Sequence, residues 1–256
     1  MIHGLVKPIF GTALNRSHPL AAGLVSQYLF NEGCGDLVHD SCGQNDGRTS
    51  GMAPMSPASG WVPGPQGGAL AFDGSGGQSA SPVTLPSPSP DIASIHNGDW
   101  TMIARCCPSS LPNNGGLIIL YGCGIVMGEA NVFSILQNNN CQIKTPTIPL
   151  NLWVAIAATR TGTTYNLYTN GIEAHTANVN ATWSRNIYSI GRGYDNVGKF
   201  AGLISSVSIY NRALSAEEIA YLYAFPWAAY DSPASAWEYN QQNRNFDHYY
   251  HRLMAA

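Results

Sequence analysis

The chain has 256 residues, of which only 11% are charged, and its formal net charge is -3. This length suits one large all-β domain with additional ends. The charged fraction lies far below the roughly 25% that is usual in soluble domains, so the surface is expected to be neutral and hydrogen-bonding. The composition therefore gives no reason to expect nucleic acid as a partner. The sequence also contains no run of about 20 apolar residues that would predict membrane insertion.

The first half of the chain alternates between apolar runs and proline-rich segments. Residues 100–107, 117–121 and 132–137 are rich in strand formers and predict β-strands. Residues 51–68 and 82–90 contain several prolines, which remove backbone donors and fix φ, and these segments are predicted to be loops.

The clearest strand signals begin at residue 152. Residues 152–159 (LWVAIAAT) form a continuous apolar run, which is typical of a central strand covered on both faces. Residues 164–169 (TYNLYT) alternate, and Asn170-Gly171 then predicts a two-residue type I′ hairpin. Residues 172–179 are predicted to return as the partner strand.

Two more strands and a helix complete this pattern. Residues 187–190 and 200–210 predict strands, the second with Leu203, Val207 and Ile209 on one face at a period of two. Ser215 stands three residues before Glu218, which is the spacing of a capping box. An amphipathic helix with the apolar residues Ile219, Leu222 and Tyr223 is expected to follow.

At these positions the chain resembles the laminin G-like jelly rolls of the concanavalin A-like lectin/glucanase superfamily, in a phage-encoded form. Four segments carry the resemblance, and their order along the chain matches that of the family: residues 18–33 (HPLAAGLVSQYLFNEG), 67–74 (GGALAFDG), 152–174 (LWVAIAATRTGTTYNLYTNGIEA) and 200–223 (FAGLISSVSIYNRALSAEEIAYLY). The resemblance implies an all-β, two-sheet antiparallel jelly-roll sandwich with one short helix near its C-terminal end. We predict an N-terminal arm over residues 1–17, the jelly roll over residues 18–225 and a C-terminal tail over residues 226–256, the arm and tail both extended.

The tail is unusually rich in large aromatic side chains, which are costly to leave in water. Two arrangements would cover them: docking onto another subunit, where Tyr and Trp are favoured anchors, or folding back onto the chain's own sandwich. The residues predicted to dock are Trp227, Tyr230, Trp237, Tyr239, Phe246, Tyr249 and Tyr250.

Some relatives in this superfamily are glycoside hydrolases, which use two carboxylates placed across the scissile bond. This sequence contains no E-x-D-x-x-E pattern. Its glutamates are scattered over predicted turns, a hairpin and the helix: Glu32, Glu129, Glu173, Glu217, Glu218 and Glu238. We therefore predict no catalytic residues and a protein that is not an enzyme.

Calcium is a frequent companion of the family, held by carboxylates and carbonyls at a loop rim. Where the resemblance would place acidic residues after Asp73, the chain has Ser75-Gly76-Gly77, and Ser205-Ser206 stand where relatives often carry acids. These departures weaken the site. Asp73 and Asp195, with neighbouring carbonyls, are the residues predicted to form a Ca²⁺ site.

A sugar offers an apolar face and a polar edge, so a sugar site needs aromatic rings beside amides and hydroxyls. Predicted loops carry these types, and such loops at the rim of a sandwich are where binding is usually built. The candidate ligand-binding residues are Trp183, Tyr194, Asp195, Asn196, Asn138, Asn139 and Asn140. The alternative is that Trp183 belongs to the core and that the asparagines form a tight turn.

The six cysteines are expected to be mostly reduced and buried, since a chain of this size has core enough without disulfides. Cys34 and Cys42 flank a short turn and are the pair that could join. Cys106 and Cys107 are neighbours in a predicted strand and should point to opposite faces.

Two function classes follow. The first is a structural module of a bacteriophage virion, a capsid decoration or tail component, which docks on other virion proteins or self-associates through its ends and adheres to host-surface glycans. No signal peptide is visible at Met1, so assembly in the host cytoplasm and a place in the virion are expected. The second is a free carbohydrate-binding lectin or adhesin module, whose binding either depends on calcium or does not.

Overall fold

The structure, a computed structural model, describes residues 7–49, 60–74, 83–85, 93, 95, 98–110, 115–120, 123–128, 131–137, 140–179, 188–193 and 198–230. In chain order the strands are β1 (Leu24–Tyr28), β2 (Leu37–Val38), β3 (Gly47–Thr49), β4 (Gly60–Gly64), β5 (Gly67–Asp73), β6 (Val83–Thr84), β7 (Trp100–Pro108), β8 (Gly115–Leu120), β9 (Cys123–Met127), β10 (Phe133–Gln137), β11 (Asn140–Lys144), β12 (Val154–Thr161), β13 (Thr164–Thr169), β14 (Ile172–Asn178), β15 (Tyr188–Ile190) and β16 (Ala201–Tyr210). Helix α1 spans Ala216–Ala224, and short 3₁₀ helices span Pro19–Ala21 and Ala228–Tyr230.

In the described part of the chain, two antiparallel sheets of eight strands each form a sandwich, which confirms the predicted fold class. Sheet A has the order β14-β13-β12-β7-β16-β5-β4, and β1 pairs with β16 beside it. Sheet B has the order β11-β10-β9-β8-β15-β6-β3-β2. The main core fills the space between the sheets, with Trp61, Trp100, Tyr165 and Phe133 among its largest buried side chains.

The predicted hairpin after β13 is confirmed. Asn170 and Gly171 both have positive φ, 51° and 82°, as a type I′ turn requires. Thr169 pairs directly with Ile172 across the two-residue turn. Strand β12 lies between β13 and β7, so it is a central strand as predicted.

The predicted face pattern of β16 is wrong at Leu203. The register shifts between Ile204 and Ser206, which is the mark of a β-bulge. The extra residue reverses the alternation, so Ile204 enters the main core with Val207, whereas Leu203 is half-buried on the other face.

A second apolar cluster covers part of the outer face of sheet A. Helix α1 begins with the predicted capping box, in which Ser215 Oγ accepts from the Glu218 amide at 3.2 Å and Glu218 Oε2 accepts from the Ser215 amide at 2.9 Å. The helix buries Ile219 and Leu222 as expected, but Tyr221 is buried in place of Tyr223, which is 44% exposed. The prediction that Tyr223 belongs to the buried stripe is therefore wrong.

The described part of the N-terminal arm also packs onto this cluster. Leu14 is buried in it, and the Asn15 amide donates to the Ala229 carbonyl at 2.9 Å. Lys7 is 5% exposed and lies against the sandwich. The segment before the first strand and the segment after α1 thus cover sheet A together.

The cysteines follow their expected roles where the structure describes them. Cys34 is free and exposed, Cys42 is free and buried, and so the two do not pair. Cys106 lies in the main core and Cys107 is half-buried on the outer face, as their neighbouring positions predict. Among the described residues, no helix is long and apolar enough to cross a membrane.

Candidate functional site

The predicted rim-loop site lies almost wholly outside the described residues. Those outside are Asn138, Asn139, Trp183, Tyr194, Asp195 and Asn196. Asn140 is the first residue of β11, and only its backbone is described. Sugar binding at these loops stays a prediction.

The structure shows a different candidate site, a cleft of about 390 Å³ on the outer face of sheet A, beside the C-terminal end of α1. We call it the Arg105 cleft. Its lining residues are Pro65, Gln66, Arg105, Trp153, Val154, Ala155, Asn170, Ser205 and Tyr223.

Strand alternation explains why a charged residue forms the floor. In β7 every second side chain enters the main core, Met102, Ala104 and Cys106 among them. Arg105 therefore faces outward, and its direct partner on β12 is the small residue Ala155. On its other side stands the bulge of β16, where Ser205 Oγ donates to the Arg105 carbonyl at 3.4 Å. Small neighbours on both strands leave room for a cleft above the guanidinium.

The helix fixes the position of this guanidinium. Arg105 Nη2 donates to the carbonyl of Leu222 at 3.4 Å and to the carbonyl of Tyr223, which are in the last turn of α1. The guanidinium carbon lies 5.6 Å from the centroid of the Tyr223 ring, a cation–π arrangement. Burial lowers the pKa of Arg105 from its ordinary value, although Tyr223 acts in the opposite direction. The side chain is thus partly stripped of water and held still.

Two aromatic rings and an amide complete the cleft. Trp153 is half-buried just before β12, and Tyr223 is exposed at the end of α1. Asn170, in the hairpin turn, accepts from the Ala155 amide through Oδ1 at 2.9 Å. That bond orients the amide and leaves its Nδ2 group as a donor. The cleft therefore presents two ring surfaces beside several hydrogen-bonding groups.

Two further hollows adjoin the cleft. One, of about 280 Å³, shares Trp153, Val154 and Asn170 with it and is otherwise lined mainly by apolar residues such as Ile148 and Leu152. The other, of about 410 Å³, lies one step further along β7 and β16, at Cys107 and Leu203. The cleft and the first of these hollows, which share lining residues, offer space for a ligand longer than one sugar unit.

Asp73, one of the two predicted calcium ligands, lines the hollow at Cys107. The other, Asp195, lies outside the described residues. Within the described ranges, no three His, Cys, Asp or Glu side chains come together as a metal site would require. A Ca²⁺ site at Asp73 and Asp195 stays a prediction.

Two of the seven aromatic residues predicted to dock onto a subunit are described. Trp227 is 2% exposed and lies over Lys7, whose Nζ is 5.8 Å from the centre of the indole. Tyr230 packs against the cluster formed by α1 and the arm. These two side chains fold back onto their own sandwich, which is the other arrangement considered. Docking by the remaining five, Trp237, Tyr239, Phe246, Tyr249 and Tyr250, stays a prediction.

Sequence reasoning missed Arg105, Trp153 and Tyr223 as site residues. Arg105 gave a usable signal, because it is the one charged residue in the run WTMIARCCP of β7. A charged residue at an outward position of a central strand is expensive unless something on that face contacts it. Trp153 and Tyr223 gave no such signal, because the apolar pattern around each of them predicted a core position.

A family model of the concanavalin A-like lectin/glucanases superfamily, of the laminin G type, matches residues 75–220. No curated protein sequence is similar enough to this chain to count as a match. No finding indicates a phage-encoded type.

Several solved structures share the fold. The binding domain of Paraclostridial Mosquitocidal Protein 1 is similar with a TM-score of 0.58 at 17% identity, covering 78% of this chain and 52% of that one. Domain 4 of AbnA, a GH43 extracellular arabinanase from Geobacillus stearothermophilus in complex with arabinotriose, gives 0.54 at 17% identity and covers 78% of this chain and 98% of that one. Trypanosoma rangeli sialidase in complex with the inhibitor DANA gives 0.56 at 18% identity, covering 79% of this chain and 33% of that one. The chain thus spans about a third of the length of the sialidase.

These matches correct the prediction that the protein is not an enzyme. That prediction depended on a missing pair of carboxylates on one strand. The sialidase and the arabinanase show that chains of enzymes contain this fold, so the missing motif does not set this chain apart from them. At 17–18% identity the likeness itself establishes the fold alone.

The family match covers more than half of the residues, and the two-sheet sandwich agrees with it. The chain therefore belongs to the laminin G-like family of the concanavalin A-like lectin/glucanase superfamily.

Proposed function

We propose that this protein is a carbohydrate-binding domain and that the Arg105 cleft holds the glycan. The observation that carries the proposal is the pairing of two accessible rings, Trp153 and Tyr223, with the polar groups of Arg105 and Asn170 in one depression. Ligand sites typically combine apolar walls with a few convergent polar groups.

The chemistry of a pyranose matches this arrangement. Its C–H face packs on an aromatic ring, while its hydroxyls at the edge exchange hydrogen bonds with amides and charged groups. Asn170 Nδ2 and the guanidinium of Arg105 are donors held in place by their other contacts, so binding would order few additional side chains. Preorganised groups of this kind reduce the entropic cost of binding.

The fold comparisons support the same ligand class. The arabinanase domain is described in complex with arabinotriose, and the mosquitocidal protein's matching part is its binding domain. The predicted rim-loop residues, Tyr194 among them, provide a second position at which a glycan would bind.

Glycan-array screening followed by isothermal titration with the tightest glycan tests the proposal. Trp153→Ala and Tyr223→Ala are each expected to weaken binding about tenfold, because truncating a central aromatic anchor typically costs more than about 1 kcal/mol. Phe10→Ala removes an aromatic side chain that is 56% exposed elsewhere on the surface, and it should bind as the unaltered protein does. An array with no bound glycan, or cleft variants with unaltered affinity, would contradict the proposal.

The place of the module in a bacteriophage particle stays a prediction from the sequence. It rests on the resemblance at the two ends of the chain. Mass spectrometry of purified particles would test it, and absence of the chain from them would refute it.

A further inference from the structure

The Arg105 cleft has an unbalanced charge. Arg105 is the one charged residue among its described lining residues, and none of them is an Asp or Glu. Ion pairs elsewhere in the described ranges join Arg48 to Asp36 and Arg212 to Glu218, but none joins a carboxylate to Arg105. A positive charge thus lies on the floor of the cleft without a counter-charge from the described part of the chain.

The guanidinium also has hydrogen-bonding capacity left over. It carries five N–H donors, and both of its described bonds start from Nη2 and end at the carbonyls of α1. Nε and Nη1 have no hydrogen-bond acceptor among the described residues. The helix thus occupies Nη2, while Nε and Nη1 keep N–H donors for a ligand in the cleft, which the Nδ2 donor of Asn170 also lines.

A carboxylate is the group that suits these donors best. Its negatively charged oxygens accept N–H bonds from a guanidinium, and such charge-assisted hydrogen bonds are about twice as strong as neutral ones. Neutral sugar hydroxyls accept hydrogen bonds from the donors but do not neutralise the positive charge of the guanidinium. The difference favours a ligand that brings its own negative group.

We propose that the glycan held in the Arg105 cleft is acidic, an inference that rests on the proposed function. The carboxylate of a uronic or sialic acid unit pairs with Arg105. The rings of Trp153 and Tyr223 would hold the apolar face of the sugar, and Arg105 would select for the acid. Arg105 is then the specificity-determining residue of the cleft.

Matched pairs of glycans test this on the unaltered full chain. The probes are trigalacturonic acid against its methyl ester, and sialyllactose against lactose, by isothermal titration at low salt. Because a hydrogen bond to a charged group contributes about 1.5–3 kcal/mol, the acid of at least one pair should bind about 10- to 100-fold tighter than its neutral partner. This preference should shrink as salt is raised.

Two substitutions then test whether Arg105 causes the preference for the acidic glycan. Arg105→Gln should remove it, while Arg105→Lys should keep part of it, because lysine retains the charge without the planar fork. Thermal unfolding of both variants checks that the end of α1 is intact, and Arg16→Gln, which changes an arginine bonded to the Cys42 carbonyl, is the matched control.

The outcomes separate this inference from the proposed function. Equal binding of acidic and neutral partners overturns the acidic ligand but leaves the carbohydrate site. An acid preference that survives in Arg105→Gln overturns the role of Arg105. Tighter binding of glycans whose acidic group is a sulfate ester than of either carboxylic acid overturns the carboxylate. Binding of no glycan overturns the carbohydrate site as well.

Discussion

Replacing Asp40 by alanine is expected to lower the free energy of unfolding by about 3–5 kcal/mol, the cost of removing the shared acceptor of several buried hydrogen-bond donors. The Asp40 side chain is fully buried, at 0% exposure. Its carboxylate accepts from the amides of Gln27 at 2.8 Å, Cys42 at 3.0 Å, Asn45 at 3.1 Å and Gln44 at 3.4 Å, and from Ser26 Oγ at 3.3 Å and Asn45 Nδ2 at 3.4 Å.

The size of the effect comes from the donors that would be left behind. They belong to β1 and to the turn between β2 and β3, and alanine offers them no acceptor. Buried donors without partners cost about 1–3 kcal/mol each before any water enters. Removing Asp40 should therefore loosen the whole turn.

Urea unfolding of the unaltered protein and of Asp40→Ala at the same pH measures the loss in the free energy of unfolding. Asp36→Ala is the matched control, because Asp36 makes an exposed ion pair with Arg48 at 3.1 Å, and exposed pairs contribute about 0–1 kcal/mol. If Asp40→Ala were no more destabilising than Asp36→Ala, the role assigned to the Asp40 network would be wrong.

The second large effect is a rise in stability with pH that comes from Lys7. This side chain is 5% exposed, and its Nζ donates to the carbonyls of Gly68 and Ser205, both at 2.7 Å. Burial lowers the pKa of Lys7 from 10.5 to about 7, against the opposing attraction of Glu32. A neutral amine has two N–H donors, which matches the two carbonyls.

The direction follows from the proton balance. Between a folded-state pKa of about 7 and an unfolded-state value of 10.5, the unfolded chain holds more protons, so the free energy of unfolding rises with pH through this window. The full shift corresponds to about 4–5 kcal/mol. The buried thiols and phenols act oppositely at higher pH, because burial raises the pKa of Cys42 to about 12 and raises that of Tyr28 as well.

Urea titrations from about pH 7 to 8 stay below the ordinary thiol pKa of 9.0, so Lys7 dominates there, and a rise of about 1 kcal/mol is expected over that interval. Lys7→Met keeps an unbranched side chain that is one atom shorter, without the amine, and should remove the rise. Lys144→Met, at an exposed position, should leave it unchanged. A rise that persists in Lys7→Met would show that another group causes it.

Local signals in the sequence predict the hairpin after β13 and the cap of α1 correctly, but the predicted loops 51–68 and 82–90 are wrong where the structure has β4, the start of β5 and β6. Asn170-Gly171 tolerates the positive φ of its turn, and Ser215 with Glu218 caps the helix, whatever the rest of the chain does. Patterns that depend on long-range packing were less reliable. The bulge in β16 reversed the face of Leu203, and nothing in its neighbours announces the extra residue.

The site was harder to predict because its parts come from distant segments. Arg105, Trp153, Asn170 and Tyr223 meet only when β7, β12 and α1 have packed together. Asp40 likewise collects its partners through the tertiary fold. Periodicity assigns a residue to a face, but it does not show which polar groups on that face converge.

A crystal structure of the full chain with its tightest array glycan bound tests the central claim most directly. We predict a sugar ring against Trp153 or Tyr223, with its polar edge hydrogen-bonded to Arg105 and Asn170. A glycan bound instead at the loops around Asn138–Asn140 and Tyr194–Asn196, with the Arg105 cleft holding only water, would contradict the claim.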